Sequence, residues 1–249
     1  MGSSARKQLV KIANRAIGGD LSLNHGAVVE LTAGELTGFW YYTTLAAAAK
    51  RSQYGTRLVL PKRLDKQAVA LVRLDVVSEW LASLLDARKP EFAGFEDYAY
   101  HVAYGSHQLG ELGGPNKLAV WRRGIKLRLH DPTSVKMFAT DNGNADKPEV
   151  EAGVLRKWGQ DFGEYNQPLA KPTEKRPDPK QNRVVSEDLA DAYTIARLVW
   201  VEARIRAGKL GLDELASDKE RQVFLRTTKA FPINVLGREW VVKTQIGKE

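Results

Sequence analysis

The sequence predicts an α/β protein whose mixed five-stranded sheet, three antiparallel strands then parallel ones, is flanked by helices. Three observations predict it. Residues 17–44 hold three short β-rich runs, IGGDLSL, GAVVEL and GELTGFWYYTT, separated by the turns NHG (24–26) and TAG (32–34), which is the pattern of an antiparallel meander. Beyond it, strand-like runs alternate with helical ones, as they must where strands run parallel and each crossover needs a helix. Two of the helical runs, at 64–88 and 186–208, are long enough to cover a sheet face.

The elements follow in order. Residues 1–15 read as a basic leader, partly helical or loose. In LDKQAVALVRLDVVSEWLASLLDAR (64–88), Val69, Val72, Val76, Trp80 and Leu84 recur at three and four residues, one face of an amphipathic helix that Pro90 stops. EFAGFEDYAY (91–100) is a short aromatic strand. A glycine-interrupted helical pattern covers 102–123, with Pro115 opening its second half. IKLRLHDP (125–132) alternates as a strand, PTSVKMFAT opens a short helix at Pro132, and DNGNADK (141–147) is a turn before a helix beginning at Pro148. Residues 163–183 carry four prolines and many charges and read as a loop. The helix at 186–208 has Ser186 as N-cap and Gly208 as its stop. Past it come one more helix in DELASDKERQVFLRTT and a β-like INVLGREWVVKT tail. The organisation is therefore a leader (1–15), a main domain (16–208, with its loop at 163–183) and a C-terminal extension (209–249).

Composition narrows the function. The net charge is +8, from 38 Lys and Arg against 30 Asp and Glu, and favours a polyanionic partner such as nucleic acid. There is no cysteine, which excludes disulfides, thiolate zinc sites and cysteine nucleophiles. No run approaches the roughly 18 apolar residues of a membrane span. The basic start lacks the apolar core of a secretory peptide, so a cytoplasmic location is expected. Phosphate loops of the GxGxxG or Walker type are absent, so no nucleotide cofactor is expected. The four histidines, His25, His101, His107 and His130, show no metal-binding spacing and read as ordinary surface or core residues. In GFWYY (38–42), strand alternation sends Phe39 and Tyr41 one way and Trp40 and Tyr42 the other, which reads as core packing.

Four acids stand out. Asp188 and Asp191 lie three apart on the late helix, about 60° apart around its axis, near its N-terminus and beside the small residues Ala190 and Ala192. Two like charges so close repel unless a cation or a proton intervenes. Asp20 ends an apolar strand run, and Glu96 sits in an aromatic one, with Asp97 sent to the opposite face. Each has an ordinary alternative: a turn residue, a solvated strand residue, an acidic first helical turn. Their order is more specific. Oxygen donors from the first strand, the fourth strand and a late helix suit a hard cation, Mg²⁺ or Mn²⁺, and two such ions support phosphodiester hydrolysis.

At these residues the chain resembles the RuvC-type Holliday-junction resolvases of the ribonuclease-H-like superfamily. IGGDLSLNHGAVV resembles their first-strand motif, GFEDYAY their fourth-strand Glu motif, HDPTSVKMFATDNGNADK their Pro–x–x–Val–Lys segment, and DLADAYTIA their terminal Asp–x–x–Asp–Ala helix. The resemblance spans roughly residues 16–204 in the right order. It implies a ribonuclease-H-like fold, metal binding by Asp20, Glu96, Asp188 and Asp191, and contact of Lys136 and Lys147 with DNA phosphate at the reacting centre. It also implies hydrolysis leaving a 5′-phosphate and a 3′-hydroxyl. The long leader, the proline-rich loop and the extension depart from the compact family pattern and suggest a divergent branch, phage or plasmid encoded. The expected function is a metal-dependent endonuclease of branched DNA, above all four-way junctions, acting as a homodimer because a symmetric junction needs two matched nicks. The alternatives are a flap, debranching or RNA–DNA-hybrid nuclease on the same fold, or a non-catalytic DNA-binding or virion structural protein.

Overall fold

The computed structural model describes residues 15–44, 49–50, 52–59, 65–97, 106–165, 184–228 and 231–243. Most of the leader, His101, the last residues of the aromatic strand run and most of the proline-rich loop lie outside the described residues. The strands are β1 (Arg15–Leu21), β2 (His25–Thr32), β3 (Glu35–Thr43), β4 (Gly55–Arg57), β5 (Phe92–Glu96) and β6 (Lys126–His130). The helices are α1 (Lys66–Arg88), α2 (Ser106–Arg122), α3 (Pro132–Thr140), α4 (Lys147–Trp158), α5 (Val184–Arg206) and α6 (Asp218–Leu225).

Among the described residues the strands form one sheet in the order β4-β3-β2-β1-β5-β6. β1, β2 and β3 pair antiparallel, then β5 joins β1 and β6 joins β5 in parallel. This is the ribonuclease-H-like arrangement expected. The five expected strands form, and the three-residue β4 adds a sixth at the edge, parallel to β3.

Strand alternation assigns the two faces. Ile17, Leu21, Val28, Tyr42, Ala93 and Phe95 pack with Val77, Leu81 and Leu85 of α1 and with Leu112 and Val120 of α2. Ala27, Val29, Leu31 and Tyr41 pack on the other face with α4 and the first half of α5. Phe39 and Trp40 divide as the alternation predicts, one into each cluster. The closest approach is at Gly18: a Cβ there would lie 2.1 Å from the Ala192 carbonyl oxygen and 2.2 Å from the Ala196 nitrogen. Backbone therefore meets backbone where α5 crosses β1, and only glycine permits it.

Four local expectations change. The α1 face that meets the sheet is Val77, Leu81 and Leu85, with Trp80 and Leu84 beside it, while Val76 is 38% exposed. The face is offset because the apolar stripe is broad and packing against the sheet selects its centre. Helix α2 runs through Pro115 without dividing, since Pro115 and the residue four back, Glu111, are both on an exposed side. Ser186 is not a cap: α5 begins at Val184, and Ser186 is buried and donates to Glu151 of α4. Gly208 does stop the helix, at φ +62°. The tail is not a strand. Its carbonyls at Val235, Arg238 and Glu239 accept from the side chains of Arg206 and Arg128, leaving one antiparallel bridge between Val241 and Leu127. Helix α6 and this tail share an apolar cluster with α3 and α5, through Val223, Phe224 and Val235 against Phe138, Ile195 and Leu198.

Candidate active site

The sheet register brings the acids together. Gly19 pairs with Phe95 across β1 and β5, so the next residues, Asp20 and Glu96, lie side by side near the ends of neighbouring parallel strands. Gly18 and Gly94 face α5, and two-residue alternation sends Asp20 and Glu96 to that same side. There α5 presents Glu187, Asp188 and Asp191 from its first two turns. The four expected acids, far apart in sequence, thus share one end of the sheet. Asp97 turns away, as alternation requires, and pairs with Lys117 at 3.2 Å.

Their charges are felt strongly. Burial and then the Asp188 carboxylate push Asp20 up to about 6. Burial and then Asp20 push Glu96 up to about 8. Burial, Asp20 and Glu96 together hold Asp191 well above the usual carboxylate range. Lys147, the first residue of α4, lies with its Nζ 3.9 Å from Asp188 and 3.7 Å from Glu187. Burial weakens its charge, but Asp20, Asp188 and Asp191 outweigh this and hold its ammonium above the ordinary lysine value. Lys136, on α3, makes no ion pair among the described residues but is close enough for its charge to favour ionised Glu96.

Two further groups join the cluster: Glu187, which the motifs do not single out, and His25, which its spacing made an ordinary residue and which the fold instead places against Asp188. Glu187 adds a further acid, its carboxyl raised by burial against the opposing pull of Lys147. His25, at the start of β2, places Nδ1 2.6 Å from Asp188 Oδ2. Burial disfavours its charge, yet the Asp188 hydrogen bond and the charges of Asp188 and Asp20 prevail and raise it. The available signal for His25 was its place five residues after Asp20 across a tight turn, which returns the chain beside β1.

As the side chains stand, no three His, Asp or Glu groups among the described residues are arranged to hold a metal ion. One cause is visible in Asp188, which directs one oxygen to His25 and the other towards Lys147. The donor set itself fits a hard divalent cation. It is rich in carboxylate oxygen, and three of its acids are driven towards protonation by burial and by one another, a burden that a cation relieves. Beside it, Gly19, Asp20, Phe95, Glu96, Asn116 and Lys117 line a cleft between the strand ends and α2.

No family model matches the chain. Over 85 residues it is 38% identical to the crossover junction endodeoxyribonuclease RuvC of Rhodococcus opacus (strain B4), covering 34% of this chain and 45% of the relative. It is 30% identical over 95 residues to the protein of the same name from Mycobacterium tuberculosis (strain ATCC 25177 / H37Ra), covering 38% and 50%. The chain spans about half the length of the curated relatives it matches. Among solved structures it is similar to Thermus thermophilus RuvC in complex with Holliday junction substrate, at 18% identity and TM-score 0.49, over 78% of this chain and 96% of that one. The chain is RuvC-like in the sequence that it shares with these relatives.

Proposed function

We propose that residues 16–208 form a metal-dependent endonuclease that hydrolyses phosphodiester bonds in branched DNA, four-way junctions above all. Residues 1–15 and 209–249 are its leader and extension. The observation that carries this reading is the meeting of Asp20, Glu96 and Asp191 in one mutually repelling cluster with Asp188. The partial sequence match to crossover junction endodeoxyribonucleases supports the choice of substrate.

Asp20, Glu96, Asp188 and Asp191 would hold the metal, two Mg²⁺ ions with Mn²⁺ as a substitute. Bound there, the ions supply an activated water and stabilisation of the leaving oxygen, giving 5′-phosphate and 3′-hydroxyl ends. The chain's own groups do the rest. Lys147, held cationic by its acidic neighbours, offers a charge to the DNA phosphate at the mouth of the cluster. Lys136 does the same on the Glu96 side. His25 holds one Asp188 oxygen and so sets how that carboxylate is turned.

A homodimer presents two such sites to a symmetric junction. Leu71 and Val76 of α1 and Leu118 of α2 are exposed apolar residues suited to contact with a second copy. No helix among the described residues is long and apolar enough to cross a membrane; we place the protein in the cytoplasm, with its DNA.

The test is nicking of labelled four-way junctions, flaps and RNA–DNA hybrids with Mg²⁺ or Mn²⁺. Paired nicks in the junction are expected. Preferred cutting of flaps or hybrids replaces the substrate assignment, and binding without cutting under either metal sinks the nuclease reading.

A further inference from the structure

A second cleft lies beyond the carboxylate cluster, between the end of β6, helix α3 and the C-terminal segment. It encloses about 240 Å³, part of it open to solvent, and its wall includes His130, Ser134, Arg226, Thr228, Phe231 and Arg238. His130 is the register partner of Glu96, so this cleft and the carboxylates sit at the same end of neighbouring strands.

The polar groups around it are incompletely used. His130 is 1% exposed, and neither ring nitrogen has a hydrogen-bond partner among the described residues. The buried Nε atoms of Arg226 and Arg238 are likewise unpartnered. Leaving such donors dry and unpaired is costly, which is why buried polar groups are nearly always satisfied. Other atoms of the same side chains are engaged, so the guanidiniums are held in place. Arg226 donates to Asp131 Oδ2 at 2.7 Å, and the Arg238 guanidinium lies 4.0 Å from the centre of the Phe231 ring. Burial, and then Arg128 and Arg238, press His130 down to about 3. A neutral imidazole keeps one N–H to donate.

The balance of charge is positive. In the cleft wall Arg226 and Arg238 meet one carboxylate, that of Asp131, itself hydrogen-bonded to the Thr133 N–H, and Asp97, close enough to act on Arg238, is paired with Lys117. Glu202, the nearest buried acid on α5, is consumed by Arg128 and Arg206. A ligand matching two guanidinium Nε–H groups, an imidazole N–H and neighbouring hydroxyls is an anion with several acceptor oxygens.

We propose that this cleft is a phosphate-binding subsite, completed by the C-terminal segment. The phosphate belongs either to the DNA backbone, beyond the strand that reaches the carboxylates, or to a free phosphate or nucleotide. Both sources present the same tetrahedral oxyanion to the same three side chains.

Inorganic phosphate is the first probe, titrated by thermal melting and ³¹P NMR against chloride at equal ionic strength. Phosphate is expected to raise the melting temperature of the wild type, and Arg226→Gln and Arg238→Gln are each expected to lose the rise. Both variants are first melted without phosphate, so that a folding defect in one leaves the other to decide. No rise beyond that from chloride overturns the subsite, and so does a rise that persists in both variants. Junction binding then identifies the source, measured on the Asp20→Asn background across a salt series. For a backbone phosphate, Arg238→Gln weakens binding about tenfold and lowers the salt slope by about one. Unchanged junction binding with a lost phosphate response assigns the site to free phosphate or nucleotide. The phosphate arm reads out whether or not the protein cuts junctions, so its failure is distinct from failure of the nuclease reading.

Discussion

Helix α5 carries two charged clusters, and they obey opposite rules. In its C-terminal half Glu202 is fully buried, and Arg128 clasps it at 2.5 and 2.9 Å while Arg206 adds a contact at 2.7 Å. The same two arginines donate onward to tail carbonyls, so that the ion group also fastens the C-terminal segment. At the other end Asp188 and Asp191 face Asp20 and Glu96 with too little positive charge to satisfy them, although Lys147 and His25 stand close. A buried charge kept for structure is paired and hydrogen-bonded, because its desolvation would otherwise unfold the region. An excess of like charge at a cleft persists where something outside the chain is to meet it.

The largest effect should come from the unsatisfied end. Asp20→Asn is expected to cut junction nicking by about 10³-fold or more, while its metal-free melting temperature holds or rises because a repelling charge is gone. Full nicking by this variant would break the comparison outright. At the satisfied end, Glu202→Ala strands Arg128 in the interior. Urea unfolding should show a loss of about 3–5 kcal/mol; a loss within error of zero would mean that the pairing is not structural.

A third effect is pH dependence without metal. Asp20 rises from 3.8 to about 6 and Glu96 from 4.5 to about 8 in the folded protein. The folded state therefore holds more protons than the unfolded one between those limits, and stability falls as pH rises through them. Metal-free melting should be higher at pH 5 than at pH 8, by on the order of 1–3 kcal/mol in stability, and Glu96→Gln should flatten the slope. A profile that rises with pH in the wild type and in Glu96→Gln alike would contradict the assigned repulsion. The smallest effect is that of His25→Ala, expected to lower nicking about tenfold and to raise the Mn²⁺ concentration required, read from rate against metal concentration. Unchanged metal dependence would remove His25 from the site.

Much of this was legible in the sequence, for local reasons. The meander at Ile17–Thr44 announced itself through alternation and turn residues, and the split of Phe39 and Tyr41 from Trp40 and Tyr42 followed from the pleat. The four acids were legible as a set because their motifs fall in a fixed order. Their strand pairing was not, since it depends on β1 and β5 meeting in parallel over more than 70 intervening residues. Val76 was placed on the buried face of α1 because periodicity shows a stripe and not its centre. The INVLGREWVVKT tail looked like a strand because its composition is β-like, but arginine side chains took the carbonyls a strand partner would have used.

By itself, then, the sequence determined which elements form, their order, the alternation that sends Asp97 away from Glu96, and the type of chemistry four carboxylates permit. These rest on interactions between residues a few positions apart, where spacing is enough. The tertiary structure alone decided that His25 would bind Asp188 across 163 residues, that Glu187 would join the acids, and that His130, Arg226 and Arg238 would share a cleft. Those meetings are set by strand register and by the glycine that lets α5 rest on β1, and neither is written in the spacing of the residues that meet.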